Sequence, residues 1–206
     1  MAGNKRLIAV FDFDGTITRK DTFVAFIKFA KGQTAFYKGF IRYSPLLLAY
    51  KLGLYPNWKI KQKIIRYFFR NMPMEEFAAL GRKFTGVIDE LVRPEVMAAI
   101  ESCRQQGATI YVVSASIENW IEPWCRNMKI NHTIATRVET DSNGLLTGNF
   151  STNNCYGQEK VVRLLEKEPD RNTYTLFVYG DSRGDKELMA LADRNWYKNF
   201  ENEAPN

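Results

Sequence analysis

Three stretches of this chain are unbroken apolar runs closed by small or acidic residues, and they frame everything between them. Leu7-Ile8-Ala9-Val10-Phe11 runs into Asp12-Phe13-Asp14-Gly15; Thr109 to Val113 (Thr-Ile-Tyr-Val-Val) stops at Ser114-Ala115-Ser116; Thr175 to Tyr179 is closed by Gly180-Asp181-Ser182. Runs of this kind, lacking polar alternation, describe strands buried on both faces, as in a parallel sheet. Helical patterns lie between them at Glu95 to Gln106, with Gly107 as the C-terminal stop, at Gly157 to Lys167 and at Asp185 to Ala192. Alternating strands and helices predict an α/β fold with a doubly wound parallel sheet. Between Ile134 and Phe150, Asn143-Gly144 separates two strand-like stretches and predicts a β-hairpin beside that sheet.

The span from Thr22 to Met74 differs in kind. It reads as helices broken at Gly32, near Ser44-Pro45 and at Pro56-Asn57, with a further helix after Pro73. It holds no acid, ten bases and thirteen of the chain's 28 aromatic residues; with a formal charge of +6 overall, the remainder carries −4. We therefore expect a core of residues 1–20 and 86–206, with residues 21–85 inserted as a helical cap. Two roles for the insertion stay open. Phe26, Phe29, Phe36, Phe40, Leu47 and Phe68 pack a cap core beneath solvated lysines, or the basic and aromatic surface meets an anionic headgroup or polyanion.

Cys103, Cys125 and Cys155 are odd in number and lack the paired spacing of a zinc site, which leads us to expect a reduced, cytoplasmic setting. The apolar run Leu7 to Phe11 is too short for a signal peptide, and no stretch reaches transmembrane length. Glu201 to Asn206 reads as a frayed tail. Trp120, Trp124 and Trp196 are expected to pack, and His132 to lie in a loop before a strand.

In an open α/β sheet, ligands bind beyond the carboxyl ends of the strands. There the sequence gathers Asp12 and Asp14 from the first strand, the Ser114 hydroxyl from the second, and Asp181 and Asp185 from the third, with Lys160 near the start of a helix. Carboxylates without histidine or cysteine suit a hard cation, magnesium before zinc. Taken singly, each feature has an ordinary structural explanation: a strand-ending Asp-x-Asp, a loop serine, a lysine on a solvated helix face, Asp21 as the N-cap of the helix after it.

Taken in order, Phe11-Asp12-Phe13-Asp14-Gly15-Thr16, Val113-Ser114-Ala115-Ser116, Lys160 and Gly180-Asp181-Ser182-Arg183-Gly184-Asp185 resemble the four motifs of the haloacid dehalogenase-like hydrolases. The position of the insertion and the flanks of the hairpin look like the phosphoserine-phosphatase-like branch. The resemblance implies a Rossmann-like core and a magnesium-dependent phosphomonoesterase in which Asp12 is the nucleophile and Asp14 the acid and base. It further implies Mg2+ held by Asp12, Asp181 and the Asp14 backbone carbonyl, with Asp185 behind them, and a phosphate met by Ser114, Ala115, Gly15 and Lys160. True phosphoserine phosphatases usually carry Ser at the position of Gly15 and Glu at that of Asp21, so phosphoserine is not the expected substrate. A small or lipid-linked phosphomonoester is, with a phosphatidylglycerophosphate phosphatase at the membrane surface, a phosphoryl transferase and a basic non-enzymatic binding module as alternatives. Nucleic acid is not expected as a partner; peripheral membrane contact through the cap is a further possibility of the basic surface.

Overall fold

A computed structural model describes residues 5–198 and Phe200; the expected tail at Glu201 to Asn206 lies outside the described residues. In chain order the elements are β1 (Arg6–Phe11), α1 (Thr22–Arg42), α2 (Ser44–Lys51), α3 (Asn57–Phe69), α4 (Met74–Leu91), α5 (Pro94–Gln105), β2 (Thr109–Ile117), α6 (Glu118–Asn127), β3 (His132–Thr136), β4 (Val138–Thr140), β5 (Leu146–Phe150), α7 (Gln158–Lys167), β6 (Tyr174–Gly180), α8 (Lys186–Leu191) and β7 (Arg194–Tyr197). The strands form one five-stranded parallel sheet in the order β3-β2-β1-β6-β7, plus a two-stranded hairpin of β4 and β5.

Strand β1 is central, and alternate side chains along it enter different cores. Ala9 and Phe11 join Ile110, Val112, Phe177 and Tyr179 on the face covered by α5, α6 and the inserted helices. Ile8 and Val10 join Tyr111, Val113, Leu176 and Val178 on the face covered by α7 and α8. Burial on both faces explains why these strands lack polar alternation. The chain leaves β1 toward β2 on one side and returns through β6 on the other, so the reversal of strand order lies at the carboxyl end of β1.

The hairpin begins later than the sequence suggests. Ile134 to Thr136 belong to the edge strand β3 of the main sheet, and only Val138 to Phe150 form the hairpin, turning at Gly144 with φ +75°. His132 starts β3 instead of preceding it, with its ring stacked on Tyr111 at 4.4 Å. β2 does not stop at Val113 either. It runs to Ile117, with a bulge against β3 after Ser114 that re-aims the strand end.

The insertion is helical throughout. Asp21 accepts a hydrogen bond from the Val24 amide and caps α1, and Gly32, at φ 75° and ψ 167°, breaks α1 into two segments. Phe26 is fully buried, stacked on Trp120 at 4.3 Å and in edge contact with Phe77 and Phe84. This aromatic cluster welds the insertion to the core. Of the other aromatic and apolar residues expected inside the cap, Phe36, Phe40, Leu47 and Phe68 are half-buried, whereas Phe29 is exposed. A division at 85/86 falls inside α4, which belongs to both parts of the molecule. The segment before α4 is laced onto the hairpin by three main-chain hydrogen bonds, Asn71 N–H to Leu146 O, Leu146 N–H to Met72 O and Met74 N–H to Gly144 O, each 2.9 Å.

Candidate active site

The Asp12 amide continues the ladder of β1 by donating to the Tyr179 carbonyl at 2.9 Å, so the first acid sits where β1 and β6 end together. The chain then turns tightly: Thr18 N–H donates to Phe13 O and Gly15 N–H to Thr18 O, both at 2.9 Å. Gly15, which the resemblance puts against the phosphate, has its N–H committed within this turn. Its contribution is space. At φ +89° it lies under Asp181, where a Cβ would approach the carboxylate oxygens to between 2.3 and 2.8 Å.

Lys160 is buried, at 2% exposure, which removes it from any solvated helix face. Its ammonium donates to Asp12 Oδ1 at 2.5 Å and to Asp185 Oδ1 at 2.7 Å. The other oxygen of Asp185 accepts from the Asp181 and Ser182 amides at 3.2 and 2.9 Å and from the Ser182 hydroxyl at 2.8 Å. Asp181 in turn accepts from the Thr16 hydroxyl at 3.3 Å. Residues 148 positions apart thus form one ion pair, and three distant segments meet at a single point.

Asp14 points into a separate cradle. Its Oδ1 accepts from the amide and the hydroxyl of Thr22, both at 2.6 Å, and its Oδ2 from the Ser116 hydroxyl. Thr22 Oγ1 also accepts from the Trp120 indole N–H at 3.2 Å, which ties the orientation of Asp14 to the aromatic cluster. Ser114 is buried, and its Oγ accepts from the Ser116 amide at 3.1 Å. Both serines lie in the stretch of β2 where its register against β3 shifts.

The electrostatics follow from burial of like charges. Burial pushes the Asp12 carboxyl up, to about 8, with Lys160 pulling the other way. Burial also raises Asp14, to about 6, assisted by repulsion from Asp21 and opposed by Ser116 and Thr22. Asp181 is raised by burial and by the charge of Asp185. Burial alone would raise Asp185 as well, but Lys160 and the Ser182 bonds bring it below the ordinary carboxylate range. Lys160 is held charged by its two carboxylates despite burial. One cation therefore faces three gathered acids. An oxygen from each of Asp12, Asp181 and Asp185 lies within 4.8 Å of the others, and an all-oxygen set under such repulsion fits a hard divalent cation.

The groups open into a cavity of about 320 Å³ lined by Asp12, Asp14, Ser114, Ala115, Lys160 and, from the insertion, Lys61. A roomier hollow of about 700 Å³ between α1 and α4 holds no convergent set of buried charges. Lys61, Thr16, Thr22, Ser116 and Ser182 were not singled out from sequence. Lys61 is 92% buried, donates to the Ala115 carbonyl at 3.1 Å and lies 5.5 Å from the centre of the Phe23 ring. Among the bases of the insertion it looked no different from Lys59 or Lys63.

The family model for haloacid dehalogenase-like hydrolase matches residues 9–190. Protein CicA of Caulobacter vibrioides is 34% identical over 200 residues, which cover 96% of this chain and 88% of that protein. A histidinol-phosphatase of Neisseria meningitidis serogroup C is 29% identical over 123 residues, 57% of this chain and 55% of that protein. The fold matches that of a phosphoserine phosphatase solved as a phospho-aspartyl intermediate analogue, with a TM-score of 0.65 and 16% identity over 93% of this chain and 86% of the other. No helix among the described residues is long and apolar enough to cross a membrane.

Proposed function

The chain belongs to the haloacid dehalogenase-like hydrolase family, and from that membership we propose that it is a phosphatase cleaving phosphomonoesters through a phosphorylated Asp12. The observation that carries this reading is the buried Lys160 bridging Asp12 and Asp185 with Asp181 alongside. Such a costly gathering of charge has no packing purpose. The phosphatase names of the Neisseria relative and of the structural neighbour support it.

Asp12 Oδ2, the oxygen not bonded to Lys160, attacks phosphorus. The phosphorus–ester oxygen bond breaks as the leaving alkoxide takes the proton of the Asp14 carboxyl. Asp14, now a carboxylate, then takes a proton from water, whose oxygen attacks phosphorus and releases phosphate from Asp12. Splitting one displacement into two in this way lowers each barrier. A carboxyl held near 6 by its surroundings is suited to donating and accepting in turn near neutral pH. Ser114 and Lys160 meet the phosphoryl oxygens, where charge builds up.

Asp12, Asp181 and the Asp14 carbonyl would hold Mg2+, which when bound supplies the charge that lets an anionic nucleophile approach an anionic phosphate. Asp185 already accepts four hydrogen bonds, and it serves the site by holding Lys160 and the Asp181 loop. Residues 21–85 act as a cap over the pocket, and Lys61 gives the leaving-group side a fixed cation that suits an anionic small molecule or lipid headgroup.

The test is phosphate release with Mg2+ from a panel that includes phosphoserine, other small phosphomonoesters and phosphatidylglycerophosphate, without an added acceptor. Asp12→Asn should abolish release while the circular dichroism spectrum stays unchanged. Near-normal turnover in that variant rejects the mechanism, and turnover that requires an acceptor alcohol makes the protein a transferase.

A further inference from the structure

The part of the insertion beyond Gly32 turns apolar side chains outward. On the second segment of α1, Tyr37 and Ile41 lie four residues apart, and Ile41 is 71% exposed. On α2, which has no buried residue, and at its C-cap, Leu48 and Leu52 repeat that spacing at 59% and 64% exposure, and Leu54 in the following loop reaches 77%. Tyr50 and Trp58 extend the surface. Scattered exposed leucines need no explanation, but so many exposed large apolar residues within one short stretch, two pairs of them at helical spacing, mark a binding face.

The charges around this face are of one sign. The exposed Lys38, Arg42, Lys51, Lys59 and Lys63 alternate with it along the chain, no acid occurs between Thr22 and Met74, and none of the ten bases of that span forms an ion pair among the described residues. Unpaired bases flanking exposed leucine, tyrosine and tryptophan fit the layered chemistry of an anionic bilayer surface, with headgroup phosphates outside and acyl chains beneath. Tyr50 belongs both to this face and to the lining of the catalytic cavity. We propose that the outer face of α1 and α2 docks on an anionic lipid bilayer and lies on it without spanning it, presenting the mouth of the cavity to the headgroup layer.

The experiment is co-sedimentation of the full chain with phosphatidylcholine vesicles, with and without one-third phosphatidylglycerol. Binding should require phosphatidylglycerol and weaken as salt is raised. Each base near an anionic leaflet contributes about fivefold in affinity, so Lys38→Gln, Arg42→Gln and Lys51→Gln together should weaken binding roughly a hundredfold. Leu48→Ser, Leu52→Ser and Leu54→Ser together should weaken it at least about tenfold through lost insertion. Both variants should keep wild-type hydrolysis of a soluble phosphomonoester and the wild-type circular dichroism spectrum. Vesicle binding is read without catalysis, so it stands or falls apart from the phosphatase reading. Absence of binding, or equal binding to both vesicle types, overturns the proposal. So does a concentration-dependent dimer in light scattering that the serine variant dissolves, which would make a second copy the occupant of this face.

Discussion

A Cβ placed on Gly15 would stand 2.3 Å from Oδ2 of Asp181. The turn after Asp14 and the acid at the end of β6 are in contact because residue 15 has no side chain, and its φ of +89° is one that other residues adopt only under strain. Gly15→Ala should therefore displace Asp181 and weaken Mg2+ binding by roughly ten- to a hundredfold, the range found when support of a metal ligand is lost. Calorimetric titration of the variant with Mg2+ measures this; unchanged affinity would remove Asp181 from the metal site.

Asp14→Asn should lower kcat by about two to four orders of magnitude, the usual range for loss of an acid and base. Thr22→Val, which removes one of the bonds orienting Asp14, should cause a smaller loss. A variant at position 14 within threefold of wild type would assign proton transfer to another group.

Lys160→Met should destabilise the metal-free protein by about 3 kcal/mol or more, because Asp12 and Asp185 would be left buried without their cation. Mg2+ should recover part of that loss by replacing the missing charge. Urea unfolding of both proteins in EDTA and in Mg2+ gives the comparison, and equal losses under the two conditions would show that no cation binds beside these carboxylates.

Asp193 tests pH dependence away from the site. Its carboxylate accepts from the Leu176 amide and from Arg171, both at 2.7 Å, and although partial burial opposes them these bonds hold its pKa below the ordinary value. A depressed pKa means that this stabilisation is present above the unfolded-state pKa and is lost as pH falls through the folded one. The stability gap between wild type and Asp193→Asn should be greatest near neutrality and close as the pH is lowered below about 4. A gap that stays constant into acid would exclude the charged bonds as its source.

The site was legible where the chemistry sits at strand ends. Asp12, Ser114 and Asp181 each follow an apolar run, so locating the buried strands also located the acids. The parts that escaped have no local signature. β7 is four residues of a largely exposed edge, and its one half-buried side chain, Trp196, packs as expected, stacked on Tyr179. α6 carries Pro123 within it, a residue that argues against a helix in the sequence, yet it runs unbroken and buries a face of Trp120, Ile121, Trp124 and Cys125. Lys61 lies on the same helix face as Ile60, Ile64 and Ile65, and only the packing of α3 against β5, with the Lys61 ammonium reaching the Ala115 carbonyl, turns a surface base into a buried one. Ser116 meets Asp14 in the part of β2 whose register against β3 shifts, a feature that no sequence pattern marks.

The three main-chain bonds between residues 71–74 and the hairpin act as a clasp. Each contributes about 1 kcal/mol net, and the Phe26 cluster adds its packing to them, so swinging the whole cap away from the core would tear apart both. Tyr50, on the arm beyond Gly32, and Lys61, on α3, line the same pocket from two different helices. The wall of the pocket is thus shared between a clasped part of the insertion and an arm joined to it through Gly32.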